Sequence, residues 1–207
     1  MILLMNRIRS DRWTLRQTAL AIAASLACLF SPAFGGTSSA QSLLSGFVND
    51  LGHRVSGQDP IKPYRLLIFG YTTCPDVCPL TLVAVHRALS ALGPAAAEVD
   101  PDFVTVDPAR DTVDKLHQYV TAFDERIRAY RSNEEDLNRL TRRLHVRFWR
   151  EALTPDAKDY SMSHTSRMFL LSPDDRVLAT IEHIDDPNKL AQAIVAALNG
   201  AEQGGRP

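Results

Sequence analysis

An unbroken apolar run, Leu66-Leu67-Ile68-Phe69-Gly70-Tyr71, leads into Cys74-Pro75-Asp76-Val77-Cys78-Pro79 and then into Leu80–Leu92, where apolar residues recur at helical spacing. A short continuous apolar run is a strand buried on both faces, so helices must cover it from two sides. Pro79 suits a first helical turn, and Leu82, Val85, Leu89 and Leu92 form the inward stripe. Two thiols therefore stand where a buried strand hands over to a helix. Backbone N–H groups at a helix start favour negative charge, which eases thiolate formation. The C-x-x-x-C spacing is one residue longer than a C-x-x-C redox motif. Two soft sulfurs on such a turn suit either a disulfide or a soft metal ion.

The rest of the chain supplies an α/β pattern. A β-ribbon is expected around Phe47 and His53–Val55, with Asp50-Leu51-Gly52 as its turn. Phe103–Val106 reads as a second strand, Asp107-Pro108 as a turn, and Thr112–Phe123 as a second helix. Ser132-Asn133-Glu134-Glu135 matches a capping box that opens a helix to about Leu144. Val146–Trp149 is a further strand candidate. Arg167–Leu171 and Val177–Ile181 flank the turn Ser172-Pro173-Asp174-Asp175, and Asp186-Pro187 starts a last helix to Leu198. Periodicity alone gives an α/β three-layer domain. The element order is that of a thioredoxin-like sandwich with an insertion.

The N-terminus reads as a targeting segment. Arg7, Arg9, Arg12 and Arg16 precede the apolar stretch Thr18–Phe30, which is shorter than a membrane span of about 20 residues. A cleaved secretory signal, an uncleaved anchor, a lipid-modified Cys28 and a mitochondrial presequence are the alternatives, and the compact apolar run favours bacterial export. The expected domains are 1–40 as signal or anchor, 41–199 as the folded domain and 200–207 as a frayed tail. Removing residues 1–40 leaves 167 of 207 residues, and the loss of four Arg and one Asp takes the formal charge from −1 to −4. No basic patch stands out, so nucleic acid is not an expected partner. The exported chain keeps only Cys74 and Cys78. That is too few for a disulfide scaffold, and the pair can oxidise unless a reductant or metal intervenes.

A metal held by the dithiol needs at least a third ligand. His86 and His117 fall in helical patterns, His145 at a helix end, His53 beside a turn and His183 past the last strand. His164 stands in Tyr160-Ser161-Met162-Ser163-His164-Thr165, in a loop that faces the cysteine loop of a thioredoxin-like sheet. A histidine there is either a hydrogen-bonded loop residue or a ligand, and spacing does not choose between them.

Three blocks resemble the signatures of the SCO/SenC family: Phe69–Pro79, then Val106-Asp107-Pro108-Ala109-Arg110-Asp111-Thr112, then Tyr160–Thr165. The resemblance runs from about Gly46 to Leu198. It implies a thioredoxin-like fold, with a family insertion and an N-terminal β-ribbon, in a protein exported across or tethered to an energy-coupling membrane. It implies copper, Cu(I) or Cu(II), held by Cys74, Cys78 and His164 and delivered to the dinuclear copper centre of cytochrome c oxidase subunit II. A thiol reductant protein is the second implied partner, because a Cys74–Cys78 disulfide would block Cu(I) loading. The implied location is the periplasm or the outer face of the inner membrane, with the mitochondrial intermembrane space as an alternative. Thiolates select Cu(I), and an imidazole suits Cu(II). Thioredoxins set a cis-proline against their cysteines, but Met162–Thr165 contains no proline.

The chain departs from the family where Ser163 replaces a frequent Asp before the histidine, removing a carboxylate that could orient the ring. Arg128-Ala129-Tyr130-Arg131-Ser132 replaces a Gly-Leu-Thr-Gly-like run, which implies an altered surface. Trp149 reads as core or rim packing. Asp107, Arg110 and Asp111 are either turn residues with an internal ion pair or a partner-facing rim of the copper mouth, and Asp76 carries the same two readings. None is expected to be catalytic. The rival to a metallochaperone is a thiol-disulfide reductase or redox sensor, with Cys74 attacking and Cys78 resolving. Structural zinc would need a fourth ligand. A peroxiredoxin is excluded because Tyr71 stands where Thr-x-x-Cys requires threonine.

Overall fold

The structure is a computed structural model. It describes residues 42–56, 64–153, 159–182 and 186–204, all within one compact unit spanning Ser39–Pro207. Residues 1–40, read above as a signal or anchor, and His183 lie outside the described residues. No helix among the described residues is long and apolar enough to cross a membrane.

Among the described residues there are eight strands: β1 (Val48–Asn49), β2 (Tyr64–Gly70), β3 (Val99–Thr105), β4 (Arg128–Arg131), β5 (Phe148–Ala152), β6 (Tyr160–His164), β7 (Met168–Leu171) and β8 (Val177–Ile181). The helices are α1 (Val77–Ala91), α2 (Val113–Thr121), α3 (Glu134–Arg143) and α4 (Pro187–Gly204), with a 3-10 turn at Gly93–Glu98. Six strands form one sheet in the order β1-β4-β3-β2-β7-β8, while β5 and β6 form a separate two-stranded sheet. β2 runs parallel to β3 and antiparallel to β7, the thioredoxin-like arrangement.

Alternate residues of β2 explain the layers. Leu66 and Ile68 pack with Leu82, Val85 and Leu89 of α1, Leu116 and Val120 of α2, and Leu190 and Ile194 of α4. Leu67 and Phe69 face the other way, onto Leu137 and Leu140 of α3, Phe47 and Met162. With both faces covered, β2 needs the unbroken apolar run that its sequence provides. The strand also extends back to Arg65, whose buried guanidinium pairs with Asp102 at 2.6 Å.

The ribbon at the start matches its expectation: Val48 bridges Arg54, and Gly52 takes the positive φ of the turn. Four expectations need correction. The first two concern strands. Arg128–Arg131 is not a surface run but β4, a parallel neighbour of β3 with Ala129 buried. Tyr160–His164 is not a loop but β6, paired with β5. The other two concern helix ends. The cap of α3 is Asn133 rather than Ser132, its side chain accepting from the Asp136 N–H at 2.8 Å. The last helix continues beyond Leu198 to Gly204.

Candidate metal centre

The β2–α1 junction carries both sulfurs. α1 begins at Val77 with no side-chain cap from Asp76. Cys74 takes the capping role instead, since its Sγ accepts from the Cys78 N–H at 3.4 Å. Gly70 makes room for this packing. A Cβ there would lie 2.6 Å from Phe103 Cε2 and 3.0 Å from Cys78 Sγ. Cys78 is buried, Cys74 is partly exposed, and both are free thiols.

Hydrogen bonding separates the two sulfurs chemically. The Cys78 thiol donates to Cys74, and the N–H groups of Asp76 and Cys78 and the Tyr71 hydroxyl add to it, against the opposing effect of burial. These hold Cys74 at about 5, well below an ordinary thiol. The same bond and burial push Cys78 far up. Of the pair, Cys74 is the sulfur that loses its proton more readily.

His164 closes the site from β6. Its Nδ1 lies 3.0 Å from the Thr165 carbonyl oxygen, so Nδ1 carries the proton and donates. Nε2 then presents a lone pair, 3.8 Å from Cys78 Sγ. The Tyr71 ring meets the imidazole edge-on at 6.3 Å. A first-row ion with bonds of about 2.3 Å to sulfur and about 2.0 Å to nitrogen, at a trigonal angle, needs its donors about 3.7 Å apart. The observed gap fits one such ion. Among the described residues no three His, Cys, Asp or Glu side chains already converge as a metal-holding group. Two donors are in place, while the third, Cys74 Sγ, is engaged with the helix N-terminus.

The residues between β3 and α2 brace this arrangement. Asp111 is fully buried and accepts from Thr72 N at 3.1 Å, Thr72 Oγ1 at 2.6 Å and Thr105 Oγ1 at 2.5 Å. Asp107, also buried, accepts from the Tyr160 hydroxyl at 2.9 Å and from Arg110 Nε. Arg110 donates a second bond to the Tyr160 carbonyl at 2.8 Å and lies 3.7 Å from the centroid of the Tyr160 ring.

Asp107 and Asp111 are buried, and their carboxylates accept from internal donors, which is the turn-and-ion-pair arrangement of the two that the sequence offered. Asp76 is exposed at the cysteine turn, and the Arg110 side chain is 29% exposed. Trp149 is not core: it is 51% exposed, with its indole N–H donating to Glu151. His86 and His117 sit on helix surfaces beside Asp124 and Asp50, at 2.8 and 2.9 Å. Tyr71, Thr72, Thr105 and Tyr160 received no role from the sequence. The alternation of Tyr160, Met162 and His164 was the one available signal for the last.

A thioredoxin-like sheet, a helix-capping thiolate and an imidazole facing its partner thiol define a dithiol–imidazole protein of the thioredoxin class. A profile of the SCO1/SenC family matches residues 44–199, and the chain belongs to that family. Protein SCO1 homolog 1, mitochondrial, of Arabidopsis thaliana is 27% identical over 164 residues, covering 77% of this chain and 48% of the relative. A solved structure of Arabidopsis thaliana ScoI with copper bound superposes with a TM-score of 0.68 at 28% identity, covering 74% of this chain and 95% of that one. Bradyrhizobium japonicum ScoI with copper bound gives 0.64 at 28% identity, covering 73% and 95%. The chain spans about half to three fifths of the length of the first curated relatives it matches.

Proposed function

We propose that this chain is a copper metallochaperone that holds one copper ion between Cys74, Cys78 and His164 and passes it to the dinuclear copper centre of cytochrome c oxidase subunit II. The observation that carries the reading is the 3.8 Å approach of His164 Nε2 to Cys78 Sγ, beside a second sulfur that caps the same helix. Two relatives of the same fold have been solved with copper bound, which supports the metal assigned. Two thiolates suffice for Cu(I), and the imidazole extends the site to Cu(II). Transfer is ligand exchange, so nothing is turned over and the protein is not an enzyme in this role. Residues 1–40 export or tether the domain 41–199, which places the site in the periplasm or on the outer face of the inner membrane. A thiol reductant keeps the pair open.

Copper stoichiometry of the wild type, Cys78→Ser and His164→Ala tests the reading. One Cu(I) per wild-type chain, lost in Cys78→Ser, and Cu(II) weakened in His164→Ala are expected. Unchanged binding in all three would end it.

The asymmetry of the sulfurs favours a second activity at the same residues. The partly exposed Cys74, as its thiolate, attacks a partner disulfide and forms a mixed disulfide, releasing one partner thiolate. Cys78 then gives up its proton and displaces the second partner sulfur, leaving a Cys74–Cys78 disulfide and a reduced partner. A mixed disulfide trapped in Cys78→Ser, in the absence of stable copper binding, would make this the principal role.

A further inference from the structure

We infer that Arg110, Asp107 and Tyr160 form a latch that sets how closely His164 approaches the cysteine pair, an inference that rests on the copper reading above for its chemical meaning. The hairpin β5–β6 carries His164, yet among the described residues it pairs with no strand of the large sheet. Its His164 end is tied by the short connection to β7 and by the Thr165 N–H bond to the Arg147 carbonyl at 2.9 Å, while its Tyr160 end is held by side chains. Tyr160, Met162 and His164 alternate along β6 and share one face. Met162 is buried in the core cluster with Phe69 and Cys78. His164 lies at the cysteine end of that face, and Tyr160 lies about 13 Å away at the other, four residues at 3.3 Å each.

Tyr160 is fastened three ways. Its hydroxyl donates to buried Asp107, its carbonyl accepts from Arg110, and the Arg110 guanidinium lies over its ring. Arg110 is itself held by Asp107, and it lies 5.9 Å from the centroid of Tyr71, the ring that meets His164 edge-on. Arg110 thus contacts the hairpin at its turn end, where Tyr160 pairs with Ala152, and the aromatic wall behind the imidazole. A charged, hydrogen-bonded fork at this point fixes both the tilt of the hairpin and the seat of the ring. Release of the latch leaves the sulfurs in place and lets the nitrogen drift. The three are positioning residues, acting through His164.

The test uses Arg110→Ala and Tyr160→Phe, the latter removing one hydroxyl from a ring that keeps its packing. In both, Cu(I) stoichiometry stays at the wild-type value, because the two sulfurs remain. Cu(II) affinity falls about tenfold to a hundredfold, the range typical when a partner orienting a ligand is lost. The nitrogen couplings in the Cu(II) electron paramagnetic resonance spectrum weaken in parallel. In the His164→Ala background, Arg110→Ala causes no further loss. Amide hydrogen exchange of the metal-free protein rises in 148–152 and 160–164 while β2 and β3 stay protected. Wild-type Cu(II) affinity and nitrogen couplings in both variants, or additive losses with His164→Ala, would overturn the latch. If the wild type bound no copper, the copper reading would fall on its own. The exchange pattern would then decide the latch, unchanged hairpin protection in Arg110→Ala overturning it.

Discussion

Asp111 accepts both the main-chain N–H and the hydroxyl of Thr72, at 3.1 and 2.6 Å, and so ties the cysteine loop to the entry of α2 from within the core. No cation faces this carboxylate in those contacts; hydroxyl and amide donors satisfy it. Asp111→Ala leaves the Thr72 and Thr105 donors without their acceptor. Hydrogen bonds to charged groups are worth about 1.5–3 kcal/mol, so urea unfolding should show a loss of about 2–3 kcal/mol. Asp111→Asn should lose less. A midpoint unchanged from wild type in both variants would remove Asp111 as the brace.

Gly70→Ala tests the packing beneath the sulfurs. The new methyl would meet the Phe103 ring at 2.6 Å, and Phe103 is fully buried. Overpacking of this kind costs about 1–3 kcal/mol, and relief by moving Phe103 or Cys78 disturbs the site. The expected result is a lower thermal midpoint together with weaker copper binding. Wild-type values for both would show that the ring moves aside freely.

Reactivity of Cys74 should follow its thiolate. Alkylation of the reduced protein by iodoacetamide should already be fast at pH 6 and fall off below about pH 5, with Cys78 protected by burial. Cys78→Ala removes the main donor to the thiolate, and Tyr71→Phe removes a lesser one, so both profiles shift to higher pH, the first by more. For stability the sign follows from proton binding. Between about pH 5 and the ordinary thiol range the folded state binds fewer protons at Cys74 than the unfolded state. The contribution of Cys74 therefore grows as pH rises through that window and is lost as pH falls towards 5. An alkylation profile centred on an ordinary thiol value would contradict the assignment.

Asp124 should make the protein acid-sensitive. The Arg126 guanidinium, at 2.6 Å, is the chief cause that holds its carboxylate well below the usual range, with His86 adding to it. A depressed carboxylate stabilises the fold above its unfolded value and loses that stabilisation as pH falls through the folded one. The Arg126 side chain is 40% exposed, so screening limits the effect to about 1 kcal/mol. Arg126→Met should narrow the stability difference between pH 6 and pH 3, measured by urea unfolding. An identical difference in the variant would discount the pair.

What the sequence reveals depends on how local the cause is. β2 and α1 are legible because an unbroken apolar run and a first-turn proline are local signals. β4 escapes notice because Arg128 and Arg131 bracket only two residues, and its pairing with β3 is remote in sequence. β6 is hidden by the polar composition of Tyr-Ser-Met-Ser-His, although the alternation is there. Cys74, Cys78 and His164 could be named from the motif blocks, but the 3.8 Å approach could not, since it joins residues 86 positions apart. Asp107 and Asp111 look like surface turn residues in sequence. Only folding brings Tyr160, Thr72 and Thr105 to them and makes buried carboxylates tolerable.

One sulfur lies at the surface and the other beneath it, which gives the pair an inside and an outside. Any incoming donor meets Cys74 first, and Cys78 is the last to let go. In the copper role proposed above, loading and hand-over would run through the same doorway in opposite order, and an oxidant arriving from solvent finds the outer sulfur before the inner one.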